Sequence, residues 1–431
     1  MRRLNLTFAL YTGLRNLLAY RHKGGSLWRM SSAVMGIALS LIPLNVVLVV
    51  TNGMIEGITE RFVELGTNHL QVRVFHPFEE DQKDTVEELL ESQEMIRWVR
   101  PFYHGNGLLY AQGQRNGVSV KALPPDIMET DRGFAEFLEI QDGKMDLFSP
   151  DAIMISAEIA AALKVGPGDE VKLLVSSNPT GRGVVIRPST FTVAGIFSTG
   201  YYELDALTAY VSLETGERLF PGPGAFYYGI KVENPFAGIE KTAMAIQRDL
   251  PKGWYAYTWY ELEKPMYETF KTTKFILLFI MLLILLVASV NISSSMIMLV
   301  LEKEQDIAIL KSQGTPPATL AASFIVTGFF LGVFGTILGM AVGTFLAVNI
   351  NGILSGLETI IGFFRGMNNE ALEEGVHILD PSFYLEEIPV RIHFSELWLI
   401  SVFSILCATF AAYIPSCRAG KLRPLEILQK H

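Results

Sequence analysis

The chain has 431 residues, half of them hydrophobic, and a formal net charge of −9. That acidic balance argues against nucleic acid as a partner. Two cysteines, Cys407 and Cys417, make no disulfide framework. The apolar excess is concentrated in a few runs, so membrane spans come first.

Residues 1–29 form a basic head with Arg2, Arg3, Arg15, Arg21, Lys23 and Arg29 and no acid. Its stretch FALYTGLRNLLAYRHK has apolar residues at helical spacing. It suits either an amphipathic helix in the membrane interface or a plain positively charged flank. The first span is predicted over 30–52, where residues 30–50 carry no charge. Those 21 residues make a helix roughly 31 Å long, about one bilayer core. The long charged flank and the absence of a small-x-small site after it point to an anchor that stays rather than a cleaved signal.

Residues 53–272 read as a large extracytoplasmic α+β domain. Its part 53–270 holds 32 acidic and 19 basic residues, a net of −13. Strand-like runs are HLQVRVF at 69–75, VSVKAL at 118–123, EVKLLV at 170–175, FTVAGIF at 191–197, LTAYVSL at 207–213 and FYYGIKV at 226–232. Helix-like runs lie at 85–99, 156–165 and 239–250. The order fits two lobes, one made of both ends of the domain and a second of about 100–225.

The second span is predicted over 273–301. A cytoplasmic loop follows at 302–318, EKEQDIAILKSQGTPPA, which starts with charges and stops at Gly314 before Pro316 and Pro317. The third span, 319–349, has glycines at 328, 332, 335, 339 and 343, three steps of the GxxxG spacing that lets helices approach closely. Packing within the chain is the first explanation for these, a dimer seam the second. A short outer segment at 350–395 contains an amphipathic helix-like run at 352–364. The fourth span covers 396–415, and a basic tail follows at 416–431 with Arg418, Lys421 and Arg423. The basic flanks put both termini in the cytoplasm and the large domain outside.

The chain has no GxxxxGK[ST] phosphate loop and no GxSxG, and its histidines show no metal-ligand spacing. The expectation is a non-enzymatic chain that binds no cofactor or metal of its own.

The loop EKEQDIAILKSQG resembles the coupling helix of the lipoprotein-releasing permeases, the LolC/LolE group of the MacB-like class of ABC transporters. Lys303, Asp306, Ile307, Ala308, Leu310 and Gly314 carry the likeness, with Lys311 among them. Residues 51–72, TNGMIEGITERFVELGTNHLQV, resemble that group's start of the outer domain, with Met54 where Phe is usual. The segment 195–220 is similar to the end of its second lobe. The tail YIPSCRAGKLRPLEIL resembles its C-terminal ending, with Ser416-Cys417 where Ala-Arg is usual.

The resemblance implies a MacB-like, four-span inner-membrane permease that pairs with two copies of an ABC ATPase, which binds the ATP and Mg, and with a second permease. It further implies a triacylated lipoprotein as substrate, a periplasmic carrier as acceptor, and spans 1 and 2 lining a lipid cavity. The cavity candidates are Met35, Leu39, Leu41, Val46, Val47 and Val50 on span 1 and Phe279, Met281 and Leu285 on span 2. In this family one permease carries a loop that hooks the carrier; here 176–188 corresponds, with Pro179, Arg182, Arg187 and Pro188. Two rival readings fit the layout less well: a MacB-like efflux permease, and an FtsX-like permease that transmits ATPase motion to a cell-wall hydrolase.

Overall fold

A computed structural model describes residues 26–78, 80–177, 185–222, 224–367 and 388–421, with Thr7, Tyr11–Gly13 and Leu385. The chain divides into two compact units. One is built from residues up to Gly53, Lys271–Ile360 and Pro389 onward; the other from Met54–Phe270 and Ile361–Ile388.

The first unit holds the apolar helices. Among the described residues, four helices are long and apolar enough to cross a membrane. They lie within Ser26–Arg61, Lys264–Glu302, Pro317–Val348 and Phe394–Lys421, spans 1 to 4. Span 3 starts where Pro316 and Pro317 occupy the N-cap and first helical positions, which need no amide hydrogen. Its glycines sit on two faces. A Cβ added at Gly332 would lie 2.7 Å from Ala408 Cβ of span 4, and one at Gly328 would overlap Ala412. A Cβ at Gly335 would lie 2.7 Å from Ile37 Cβ of span 1, and one at Gly339 2.8 Å from Leu41 Cβ. The glycine spacing therefore packs span 3 between spans 1 and 4 of its own chain.

Lipid supplies no hydrophobic drive for helix pairing, so polar pairs assist this close fit. Asn45 of span 1 donates to Met340 O (3.1 Å) and Thr344 Oγ1 (2.8 Å), and Thr336 Oγ1 donates to Ser404 Oγ (3.1 Å). Span 2 contributes one buried stripe, Met281, Leu285, Ile292, Met296 and Leu299, at spacings of three, four and seven.

The second unit is built on a ten-stranded mixed sheet. Its strands are β1 (Leu70–Val74), β2 (Ile96–Ala111), β3 (Gln114–Leu123), β4 (Glu139–Gly143), β5 (Ala152–Ser156), β6 (Glu170–Ser177), β7 (Val185–Ser198), β8 (Thr208–Ser212), β9 (Phe226–Val232) and β10 (Trp254–Thr258). They run in the order β10-β1-β9-β2-β3-β8-β5-β7-β4, with β6 against β2 and β7. β3 pairs with β8 in parallel, as does β5 with β7. The β2–β3 hairpin turns on Gln112 and Gly113, both at positive φ, which matches the twist of the strands it joins.

β2 belongs to both halves of the sheet. Its residues from Ile96 to Tyr103 pair with β9, and those from Tyr103 to Ala111 pair with β3. Sequence reading expected a helix over 85–99, but the helix there is Glu80–Glu91, and Met-Ile-Arg-Trp-Val opens into β2. Trp98, Phe102 and Tyr227 explain the switch: Phe102 stacks on Tyr227 at 5.3 Å, and β-branched and aromatic side chains fit a half-buried sheet better than a helix.

Candidate functional site

The short helix Glu304–Ser312 follows span 2 after Lys303, which caps it with non-helical backbone. Acids open it (Glu304, Asp306) and Lys311 closes it, in keeping with the helix dipole. Lys303 Nζ meets Asp306 Oδ2 at 3.1 Å. Gly314 ends the helix at φ +89°, a left-handed conformation that a Cβ would strain, and Thr315 N donates to Leu310 O.

Within the matched motif, Ile307 and Ala308 are buried in their own chain, and Leu310 packs against the bundle core beside them. Lys311 Nζ donates to Gly420 O at 2.7 Å, which fixes the helix to the C-terminal end of span 4. The face turned away from the bundle carries Gln305, Asp306, Ile309, Ser312 and Gln313, with Ile309 as a half-exposed apolar side chain at its centre. Sequence matching had not singled out Ile309; period-3.6 geometry was the available signal, since Ile307 and Ala308 cannot share its face.

On span 1, Met35, Leu39, Val46, Val47 and Val50 fall on one outward stripe, with Met35 and Leu39 more than half exposed. Leu41 is a correction: it is fully buried beside Gly339 of span 3. On span 2, Phe279 points outward, whereas Met281 and Leu285 belong to the bundle core. Both lie on the stripe that also holds Ile292 and Met296, so they hold span 2 to its neighbours and offer nothing to lipid. Phe275, Ile276, Ile280, Leu283, Val287 and Val290 make up the outward surface instead.

The hook candidates sit at the β6–β7 hairpin, which pairs as far as Ser177 with Val185. Pro179 and Arg182 lie outside the described residues. Arg187 and Pro188 are strand positions opposite Val175 and Leu174. At Pro188 the other edge of β7 is unpaired, because β5 joins only from Thr192, and an edge is where a sheet tolerates proline.

A feature absent from the sequence reading is a buried charge cluster in the second unit. Helix Ser26–Arg61 continues into a π-helical turn, Phe62–Thr67, that carries Glu64. Lys231 of β9 meets Glu64 Oε2 and Asp131 Oδ1, both at 2.5 Å. His69 Nδ1 accepts from Val232 N, so its other nitrogen carries the proton and donates to Glu64 Oε1 at 2.9 Å. Lys121 donates to Leu65 O and Gly66 O, both at 2.9 Å, and so satisfies carbonyls at the end of the turn. Burial, followed by the nearby Lys231 charge, pushes the Lys121 ammonium down to about 7. Two ammonium groups face two carboxylates here, and no arrangement of nucleophile and base accompanies them.

The sequence itself falls into two known parts. Residues 31–248 match the MacB-like periplasmic core domain, and residues 278–424 match the FtsX-like permease C-terminal domain. The chain belongs to the MacB-like permeases. Within that class the full-length likeness is to the LolC/LolE group. The permease is 27% identical to the lipoprotein-releasing system transmembrane protein LolC of Neisseria meningitidis, over 97% of this chain and 98% of that one. It is 24% identical to LolE of Haemophilus influenzae, over 93% of this chain and 94% of the other. The periplasmic region of MacB from Actinobacillus actinomycetemcomitans aligns at 13% identity and a TM-score of 0.32, covering 48% of this permease and 95% of that chain. The MacB-like permease is thus a multi-pass, non-catalytic membrane subunit with a periplasmic-type α+β domain.

Proposed function

We propose that this permease is the membrane subunit of an ATP-driven complex that lifts lipoproteins from the outer leaflet of the inner membrane and passes them to a periplasmic carrier. The observation that carries the reading is the end-to-end likeness to lipoprotein-releasing permeases of both kinds. The basic flanks support cytoplasmic termini. A separate ABC ATPase, two copies per complex, binds ATP and Mg and docks on the helix Glu304–Ser312. A second permease, either another copy of this chain or a related one, completes the membrane part.

Physical chemistry explains the need for such a machine. Each buried CH₂ contributes roughly 0.8 kcal/mol to anchoring, so three acyl chains of about 15 such groups are held by tens of kcal/mol. The outward stripes of span 1 (Met35, Leu39, Val46, Val47, Val50) and span 2 (Phe279 and its neighbours) supply apolar contact for chains leaving the bilayer. On the cytoplasmic side, Ile309 with Gln305, Asp306 and Gln313 meets the ATPase. Ile307, Ala308 and Leu310 anchor the helix to the bundle core, and Lys311 passes its displacement to the end of span 4. The β6–β7 hairpin, with Arg182 and Arg187, is the candidate carrier contact.

Depletion of the permease, followed by separation of inner and outer membranes, tests the proposal. Mature triacylated lipoprotein accumulating in the inner membrane supports it. Normal sorting with a division defect would replace it by the FtsX-like signalling role; normal sorting with drug sensitivity would replace it by efflux.

A further inference from the structure

At one end of the bundle a single carboxylate joins three spans. Asn52 of span 1 donates to Glu396 Oε2 at 2.6 Å, and Lys274 of span 2 donates to Glu396 Oε1 at 2.7 Å. Glu396 lies in the first turn of the span 4 helix, where the helix dipole favours a negative charge. Each oxygen therefore serves a different span. The three side chains lie at the ends of spans 1, 2 and 4 that the basic flanks assign to the outer side of the membrane.

The two tethers are not equal. Span 1 is held at this level by more than Asn52: the irregular segment leading into span 4 comes so close that a Cβ at Gly53 would overlap the Pro389 carbonyl. Asn52 itself is buried. Span 2 has less: Phe270, one turn before Lys274, packs partly buried against the small cluster that contains Ile58, and Leu277 is half-buried. After Lys274 come Phe275, Ile276, Leu278, Phe279 and Ile280, all exposed. The first apolar side chain of span 2 buried in the bundle is Met281, seven residues on, or about 10 Å along the helix. Over this outer stretch, the ion pair from Lys274 to Glu396 is the one salt bridge to the rest of the bundle among the described residues.

We infer that Glu396 is a positioning residue for lipid release: its ion pair with Lys274 tethers the outer end of span 2 to spans 1 and 4, and its opening lets that end move to admit acyl chains. This rests on the release reading above. Apolar packing over the same stretch would fix span 2 through many small contacts. One partly exposed ion pair instead gives a discrete tether, worth no more than about a fivefold shift in the closed-to-open ratio, that opens and re-forms without exposing new apolar surface. Glu396 remains bonded to Asn52 when Lys274 leaves, so the carboxylate stays in place to take the ammonium back.

Charge exchange tests this in the assembled complex. Lys274→Glu, Glu396→Lys and the double exchange are compared at equal membrane abundance, with Lys274→Arg as the conservative variant. Two readouts are taken. The first is lipoprotein retained in the inner membrane together with ATP hydrolysis in its absence. The second is the distance distribution between nitroxide labels at Phe275 and Leu399, both exposed outer positions, which needs no substrate. Each single reversal is expected to raise retention and idle hydrolysis and to broaden the distances. The double exchange and Lys274→Arg are expected to restore all three, since Asn52 can turn its amide to accept from a lysine at 396. Single reversals with unbroadened distances, or a double exchange no better than either single, would overturn the inference. If distances broaden and recover while lipoprotein sorting is indifferent throughout, the tether stands and the release reading fails.

Discussion

Replacing Lys231 by methionine removes the cation from the buried cluster and leaves Glu64 and Asp131 facing each other without it. The side chain of Asp131 is almost fully buried, and that of Glu64 is less than one-fifth exposed. Each keeps one other partner: His69 for Glu64, and Phe134 N, the first amide that Asp131 caps, for Asp131. Asp131 Oδ2 already has no partner. Breaking a buried pair by removing one member costs about 3–5 kcal/mol, against a near-neutral result when the whole pair is replaced by apolar or neutral groups. Lys231→Met should therefore lose about 3 kcal/mol or more locally, while Lys231→Met with Glu64→Gln and Asp131→Asn should recover most of the loss. Hydrogen exchange of β9 and Arg132–Phe137 amides in the intact, detergent-solubilised protein reads the local opening energy directly. The sign with pH follows from the same cause. Burial alone would raise Glu64, but the His69 hydrogen bond and then the Lys231 charge hold it down to about 2; losing Lys231 weakens that hold, so the variant's deficit relative to the parent grows as pH rises from about 2 toward 4.5. A loss under about 1 kcal/mol, or a deficit independent of pH, would refute the claim that these charges are held out of water by each other.

Other outcomes follow from the same geometry. Gly339→Leu should cost about 1–3 kcal/mol and lower the yield of folded protein, because its Cβ would sit 2.8 Å from Leu41 Cβ; Gly352→Ala, with open space around it, should be neutral or better. Ile309→Asp should abolish co-purification of the ATPase while leaving thermal stability unchanged; Ile307→Ala should lower stability by about 2–5 kcal/mol through the cavity it leaves. His104, whose Nε2 lies 2.9 Å from Ser119 Oγ, is pushed down to about 4 by burial and then by Lys121. The unfolded chain takes up that proton first, so the periplasmic-type domain should lose roughly 3 kcal/mol between pH 6.5 and 4, and His104→Gln should flatten the slope. Lys121 acts higher in the range: its lowered value makes stability rise with pH from about 7 to 10.5, a rise that Lys121→Met should remove.

The spans and the short helix Glu304–Ser312 were legible because their signals are local. Charge-free runs of about 20 residues and the Gly314-Pro316-Pro317 stop need no partner to be read. β9 was found to the residue, since FYYGIKV is buried on both faces and reads as one apolar run. β2 was hidden because Pro101, Gly105 and Gly107 interrupt it; the two glycines are there because Phe220 and Leu173 occupy the space their Cβ atoms would take. Direction within the bundle was likewise out of reach. Leu41 and Met281 look like lipid-facing residues until the glycines of span 3 and the stripe of span 2 fix which way each helix turns. The charge cluster joins Glu64, Asp131 and Lys231 across 167 positions, and no sequence spacing marks such a set.

The double membership of β2 has a mechanical consequence. A clamshell domain opens because its halves share only a flexible hinge. Here the halves share a sixteen-residue strand, hydrogen-bonded to β9 at one end and to β3 and β6 at the other. Separating them would mean tearing a ladder, so a pull applied at β1 and β9 arrives at the β6–β7 hairpin largely undiminished, much as a crossbeam carries a load from one wall to the next. Along that beam the ladder is irregular at the register shift between Ile96 and Trp98, and the chain carries no side chain at Gly105 and Gly107, so those are places where it can bend.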